Sequence, residues 1–196
     1  MTPFRARSID KRARGKRDAA SPPATKNENR DWSFHRSAGI SVIQSAALKK
    51  EDWLVHGFST RSGGLSTLPP APGSHKLAGG VLNLGFAEWD QRARVEENRR
   101  RFMKAFGAAH FQMVALRQFH SDVIYVVDAA PATPLRGDAM VTRVPGLLLA
   151  VQTADCIPIL LADPHARAVA AIHAGWRGTL KRIAEKTVGR MRMIFG

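Results

Sequence analysis

One cysteine, Cys156, stands in 196 residues. A lone thiol excludes an internal disulfide and a compact multi-cysteine zinc module, and it fits a reducing compartment, so a cytoplasmic protein is expected. Long apolar runs are missing too. No window reaches the roughly 18 apolar residues of a spanning helix, so no membrane partner is expected. The basic N-terminus carries no apolar segment of the secretory type. No repeat with a period of about 20–50 residues is visible. Acidic residues are scarce, with 16 Asp and Glu against 30 Lys and Arg, a formal net charge of +14.

That charge raises a nucleic-acid reading, and its distribution weakens it. Much of it lies in the first 36 residues, as in 11-KRARGKR-17, where apolar residues are few, and one further run is 99-RRR-101. Weak, nonspecific polyanion binding is the expectation. Residues 1–36 read as a disordered basic tail, with 21-SPPATKNENR-30 as its clearest linker. Its Arg-rich, acid-poor start resembles a transit peptide, and a misplaced start codon would look the same. Residues 37–196 form the folded domain.

Within that domain 40-ISVIQS-45 and 53-WLVHGFST-60 read as strands, followed by a Gly/Pro-rich loop over 61–82. The segment 90–106 predicts a helix capped by Asp90, with Val95, Phe102 and Phe106 as its apolar stripe and Asn98 lying on the stripe. Short apolar runs follow at 111–116, 123–128, 139–142, 147–153, 158–163 and 168–173, and a second helix runs from Thr179 to the end. Leu180, Ile183, Val188, Met191 and Phe195 lie roughly on one side of it. Strands, a helix, many strands and a helix predict α+β: mixed, mostly antiparallel sheets packed as a sandwich with flanking helices.

The turn-forming 163-DPHARA-168 predicts an antiparallel hairpin that pairs Asp163 with Ala168 and Pro158 with His173. Cys156 then shares a face with His173, close enough for a thiolate and an imidazole to hold one metal or to form a nucleophile–base pair. His120, in 117-RQFHSD-122, is a third candidate at a strand edge. Two histidines, a cysteine and an open fourth position suit catalytic zinc, which activates bound water and polarises a leaving group. The glycines of 173-HAGWRGTL-180 permit close backbone approach to a ligand, and Arg177 adds a fixed positive charge.

On these residues the chain resembles the purine nucleoside phosphorylase family formerly labelled multicopper polyphenol oxidoreductase (laccase-like), which includes the bacterial peptidoglycan editing factor and human FAMIN. The matching segments are 56-HGFSTRSGGLS-66, 83-NLG-85, 95-VEENRRRF-102, 118-QFHSD-122, 137-GDAMVT-142, 150-AVQTADCIPILLADP-164 and 169-VAAIHAGWRGT-179. The resemblance implies zinc held by His120, Cys156 and His173. It implies phosphorolysis of adenosine, inosine and S-methyl-5'-thioadenosine, with adenosine deaminase activity; the small-molecule partners are purine nucleosides and phosphate. Cys156, His173 and Asp155 are the candidate catalytic residues, and Arg61, Gln118 and Arg177 the candidate substrate-binding ones. Copper is less expected than zinc: there is no His-x-His pair, one Cys and seven His, too few ligands for a multinuclear copper enzyme. The resemblance also predicts a chain truncated at its C-terminal end, and it sets no oligomeric state. The alternative is a cysteine hydrolase or amidase acting on cell-wall precursors, with Cys156 as nucleophile and His173 as base.

Overall fold

The first hairpin is built by its turn. Ala38 and Gly39 both have positive φ, 49° and 80°, the geometry of the two-residue turn that matches strand twist. It joins β1 (Trp32–Ser37) to β2 (Ile40–Ser45), and β2 also pairs with β3 (Phe58–Ser59), all antiparallel. The expected tail over 1–36 therefore gives way to a strand at Trp32. Composition hid it because β1 is mostly exposed, so its order comes from backbone pairing and not from burial. The computed structural model describes residues 31–69, 72 and 78–196, and the rest of the expected tail lies outside them.

The expected strand over 53–60 shrinks to Phe58–Ser59, because His56 is used differently. Its buried ring accepts the Ser45 N–H at 2.9 Å through Nε2, and burial holds the imidazole below its ordinary pKa. The expected loop over 61–82 instead contains a hairpin of β4 (Ser62–Leu68) and β5 (Ala78–Val81), irregular in register. Its glycines permit a close approach: a Cβ on Gly64 would stand 2.0 Å from the Val81 carbonyl oxygen.

Helix α1 (Arg92–Ala105) packs Phe102, Ala105 and the following Phe106 against Ile40, Val42 and Leu82. Asp90 does not cap it: Gln91 is the N-cap residue and makes no side-chain cap. The Asp90 carboxylate instead accepts from Ser66 Oγ at 2.5 Å and Asn83 Nδ2 at 2.7 Å, and binds the Gln91 N–H at 2.9 Å.

The remaining runs fold as β6 (Gln112–Ala115), β7 (Ile124–Val126), β8 (Ala139–Thr142), β9 (Leu147–Ala150), β10 (Ile157–Asp163) and β11 (Ala168–Ala174). A four-stranded sheet runs β10-β11-β8-β7, and β6 pairs with β9. Among the named strands of the described residues only the β7–β8 and β6–β9 pairs are parallel, so the fold is α+β and mostly antiparallel.

β8 alternates between two layers. Ala139 and Val141 join the alanines of β11 under helix α3 (Ile183–Phe195), while Met140 packs with Val114, Leu147 and Leu149 of β6 and β9. The sheet is thus sandwiched between a helix and a second sheet, and short, fully apolar strands are what such double-sided burial requires. The single helix expected from Thr179 is two. α2 (Trp176–Leu180) ends early, and Arg182, with φ 62°, breaks the path before α3. Ile183 and Met191 are buried as expected, but Leu180 falls before the break and is exposed.

Asp122 ties the start of α3 to the loop before β7 through Lys186 Nζ at 2.6 Å and Lys181 Nζ at 3.3 Å. Those two contacts lower the Asp122 pKa from 3.8 to about 2. A depressed carboxylate stabilises the fold above its unfolded pKa, and that contribution is lost as pH falls through the folded value. Lys186→Ala is therefore expected to melt slightly earlier than wild type near about pH 4, with the gap closing toward about pH 2. Thermal melts across that window check it.

Candidate metal centre

β11 sits between the two strands that complete the site. On one side the β10–β11 register runs from Asp163↔Ala168 to Pro158↔His173, as the loop length predicts. Cys156, one residue before β10, therefore falls on the His173 side of the sheet. On the other side, the β11–β8 register passes through Ile172↔Ala139. One step further it sets Asp138 opposite His173, whose N–H donates to the Asp138 carbonyl at 2.7 Å. The third residue, His120, comes from the loop between β6 and β7 and adopts a left-handed φ of 62°.

Cys156 Sγ lies 3.6 Å from His120 Nε2. The His120 and His173 rings meet edge to face at 4.9 Å, and one donor atom from each of the three residues lies within 4.8 Å of the others. Zinc bonds of about 2.3 Å to sulfur and about 2.05 Å to nitrogen, at a tetrahedral angle, place the two donors about 3.6 Å apart. The Cys156–His120 pair already has that separation, so the donor set fits a single zinc ion. Among the described residues this is the only cluster of three or more His, Cys, Asp or Glu side chains so arranged.

The buried residue that sequence reasoning missed is Asp138. Its Oδ1 meets His173 Nδ1 at 2.7 Å and accepts the His120 N–H at 3.0 Å. Its Oδ2 accepts the Ser121 N–H at 2.7 Å and the Ser121 hydroxyl at 2.6 Å, with the Phe119 N–H more distant at 3.4 Å. Desolvation opposes the charge, but the bonds from Ser121, His173 and the backbone outweigh it and hold this carboxyl below its ordinary pKa. The signal available in the sequence was 137-GDAMVT-142, an aspartate set directly before a short, mostly apolar strand.

Gly175 closes the site from behind. A Cβ there would stand 2.5 Å from His120 Cδ2 and 3.3 Å from Cys156 Sγ. His120 is exposed, so its ring can swing away from the intruding methyl at little expense to the fold. Gly175→Ala is expected to melt like wild type yet bind zinc about tenfold or more weakly. Thermal melting beside chelator competition reads the two effects separately.

The other candidate residues are less concentrated. Asp155 is exposed beside Cys156, and exposed Arg177 lays its guanidinium over the Trp176 ring at 5.1 Å. Gln118 is committed to the scaffold: its amide donates to the Gln152 carbonyl at 2.7 Å and accepts the Gln152 N–H at 2.8 Å. Gln152 Nε2 then reaches the Leu84 carbonyl at 2.9 Å. These bonds join the His120 loop, the segment leading to Cys156 and the turn before α1.

Arg61 lines a largely apolar cleft of about 1110 Å³ between β3, β9, β10, residues 81–85 and the C-terminal end of α1. None of the three donor residues lines this cleft. Thr153, Ala154 and Pro158 do, so the cleft adjoins the cluster by way of the residues flanking Cys156.

Residues 55–196 match the family described as multi-copper polyphenol oxidoreductase laccase. The chain is 45% identical over 136 residues to a purine nucleoside phosphorylase of Deinococcus radiodurans, covering 69% of this chain and 49% of that protein. It is 33% identical over 157 residues to the human purine nucleoside phosphorylase LACC1, covering 80% of this chain and 34% of that one. The crystal structure of YlmD from Geobacillus stearothermophilus superposes with a TM-score of 0.64 at 31% identity, over 81% of this chain and 58% of that one. The chain spans about half the length of the bacterial relatives it matches.

Proposed function

Because the chain belongs to the multi-copper polyphenol oxidoreductase laccase family, and its relatives carry the name purine nucleoside phosphorylase, we propose that it is a zinc-dependent purine nucleoside phosphorylase of the cytoplasm. Adenosine, inosine and S-methyl-5'-thioadenosine are the proposed substrates, with deamination of adenosine as a second activity. The observation that carries the metal reading is the 3.6 Å separation of Cys156 Sγ and His120 Nε2 beside His173. His120, Cys156 and His173 would hold the ion, and zinc would supply Lewis-acid polarisation there.

One three-donor cluster among the described residues supports zinc better than the family label does, because multicopper oxidation needs several coppers and more ligands. In phosphorolysis a phosphate oxygen bonds to ribose C1′ as the bond from C1′ to the purine nitrogen breaks, giving free base and ribose 1-phosphate. Arg61 and Arg177 are proposed to bind and orient phosphate as fixed cations. Asp155, exposed beside Cys156, is proposed to manage the proton of the leaving base. Gln118 is proposed to support the site by its bonds to Gln152.

Incubation with inosine, phosphate and zinc tests this reading. Hypoxanthine and ribose 1-phosphate in equal amounts are expected. Hypoxanthine release that ignores phosphate would overturn phosphorolysis, and no release would overturn the assignment. The same contact also favours a second reading, a cysteine hydrolase or amidase on cell-wall precursors. There the imidazole nearest Cys156 by measured contact is His120, not His173, whose Nδ1 is held by Asp138.

A further inference from the structure

We propose that Asp138 is the positioning residue of the metal centre, a single buried carboxylate that fixes two of the three donor residues at once. The inference rests on the metal reading above for its consequence, but its geometry stands on its own. Asp138 is fully buried; its oxygens are occupied by Ser121, His120 and His173, with the Phe119 N–H more distant.

Two separate effects follow from those bonds. First, a carboxylate only accepts, so the His173 ring must place its proton on Nδ1 and leave the Nε2 lone pair free. An imidazole with its proton on Nε2 could not bind a metal through that atom. Second, the backbone N–H groups of His120 and Ser121 converge on the same carboxylate. This is how a non-glycine residue is kept at φ 62° in an exposed loop. The left-handed turn aims the His120 ring at Cys156. The cross-strand register makes both effects possible, since the same β8–β11 ladder that carries His173 carries Asp138 directly opposite.

Asp138→Asn is the informative variant, because it changes hydrogen-bond character at constant size. If the amide oxygen takes the Oδ2 position and keeps the Ser121 N–H and hydroxyl, the NH₂ takes the Oδ1 position, faces His173 and must donate there, and the His120 N–H loses its acceptor. The ring proton is then driven to Nε2, the wrong tautomer for binding. Nitrogen NMR of imidazole-labelled, metal-free protein, at a pH above the imidazole titration, reads the tautomer directly. The proton is expected on Nδ1 of His173 in wild type and on Nε2 in Asp138→Asn. Zinc affinity, measured by chelator competition, is expected to fall about 10–100-fold in the variant.

An Nε2–H tautomer in the wild-type protein would overturn the proposal, and that measurement needs no variant to fold. So would a folded Asp138→Asn that keeps the Nδ1–H tautomer and zinc affinity within about twofold of wild type. A wild-type protein with the Nδ1–H tautomer and no zinc uptake supports the positioning of His173, and its failure falls on the metal reading alone.

Discussion

Cys156→Ala leaves the chain folded and strips it of tightly held zinc: that is the expected result, and it is the larger of two effects. Cys156 is half-buried at the entry to β10, so truncating it opens no deep cavity, and the change in stability should stay within about 1 kcal/mol. The loss of metal is another matter. Residues that only support metal ligands typically change affinity about 10–100-fold, so removing a donor atom itself should exceed about 100-fold. Cobalt substitution gives a second signature, since the thiolate-to-metal absorption band of the wild type should vanish in Cys156→Ala. Phosphate-dependent release of hypoxanthine should vanish with it. Loss of activity alone would not separate a metal ligand from a nucleophile. Loss of bound metal in a folded variant does.

Asn98→Ala is expected to be strongly destabilising, although it lies outside the site. Asn98 lies on the buried face of α1 with no exposed surface, and its amide completes a polar cluster. Its oxygen accepts the Leu65 N–H at 2.8 Å, and its nitrogen donates to Ser66 Oγ at 2.9 Å and to the Asn83 carbonyl at 3.0 Å. Alanine leaves the Leu65 N–H and the Asn83 carbonyl without this partner and removes a donor from Ser66 Oγ, which still donates to Asp90. Each buried group left unpaired costs about 1–3 kcal/mol, and partial relaxation brings the sum to about 3–5 kcal/mol. A domain of this size loses roughly 2–4 °C of Tm per kcal/mol, so a drop on the order of 10 °C is expected in a thermal melt. Asn98→Asp should also fail, because a carboxylate accepts the Leu65 N–H but cannot donate to Ser66 or Asn83. Glu97→Ala, which breaks only the exposed pair with Arg100, should melt within a degree or two of wild type. Equal melting of Asn98→Ala and Glu97→Ala would refute the role given to the buried cluster.

The parts of this site that could be read from sequence are those set by local geometry. A four-residue turn between two apolar runs fixes the β10–β11 register, and with it the shared face of Cys156 and His173. His120 is different: the residues alone marked it as a candidate at a strand edge, but its proximity depends on a loop about 36 residues upstream of Cys156, and no local spacing sets it there. Asp138 was missed because its role depends on β8 pairing with β11 across about 35 residues, and no local periodicity encodes such a pairing. Asn98 was visible as a polar residue on an apolar stripe, but its partners come from β4 and the turn after β5, inside a stretch that reads as loop. The break at Arg182 carries neither glycine nor proline, the usual marks of a helix end. The β1 strand escaped notice for the opposite reason, since it is mostly exposed, and its Ser, His and Arg residues resemble the tail that precedes it despite Trp32 and Phe34.

Metal analysis of the purified protein bears most directly on the central claim that His120, Cys156 and His173 form a zinc centre. About one zinc ion per chain is predicted, falling to a trace in Cys156→Ala, His120→Ala and His173→Ala while each variant stays folded. A metal-free protein that still releases product, and loses that activity when Cys156 is alkylated, would contradict it.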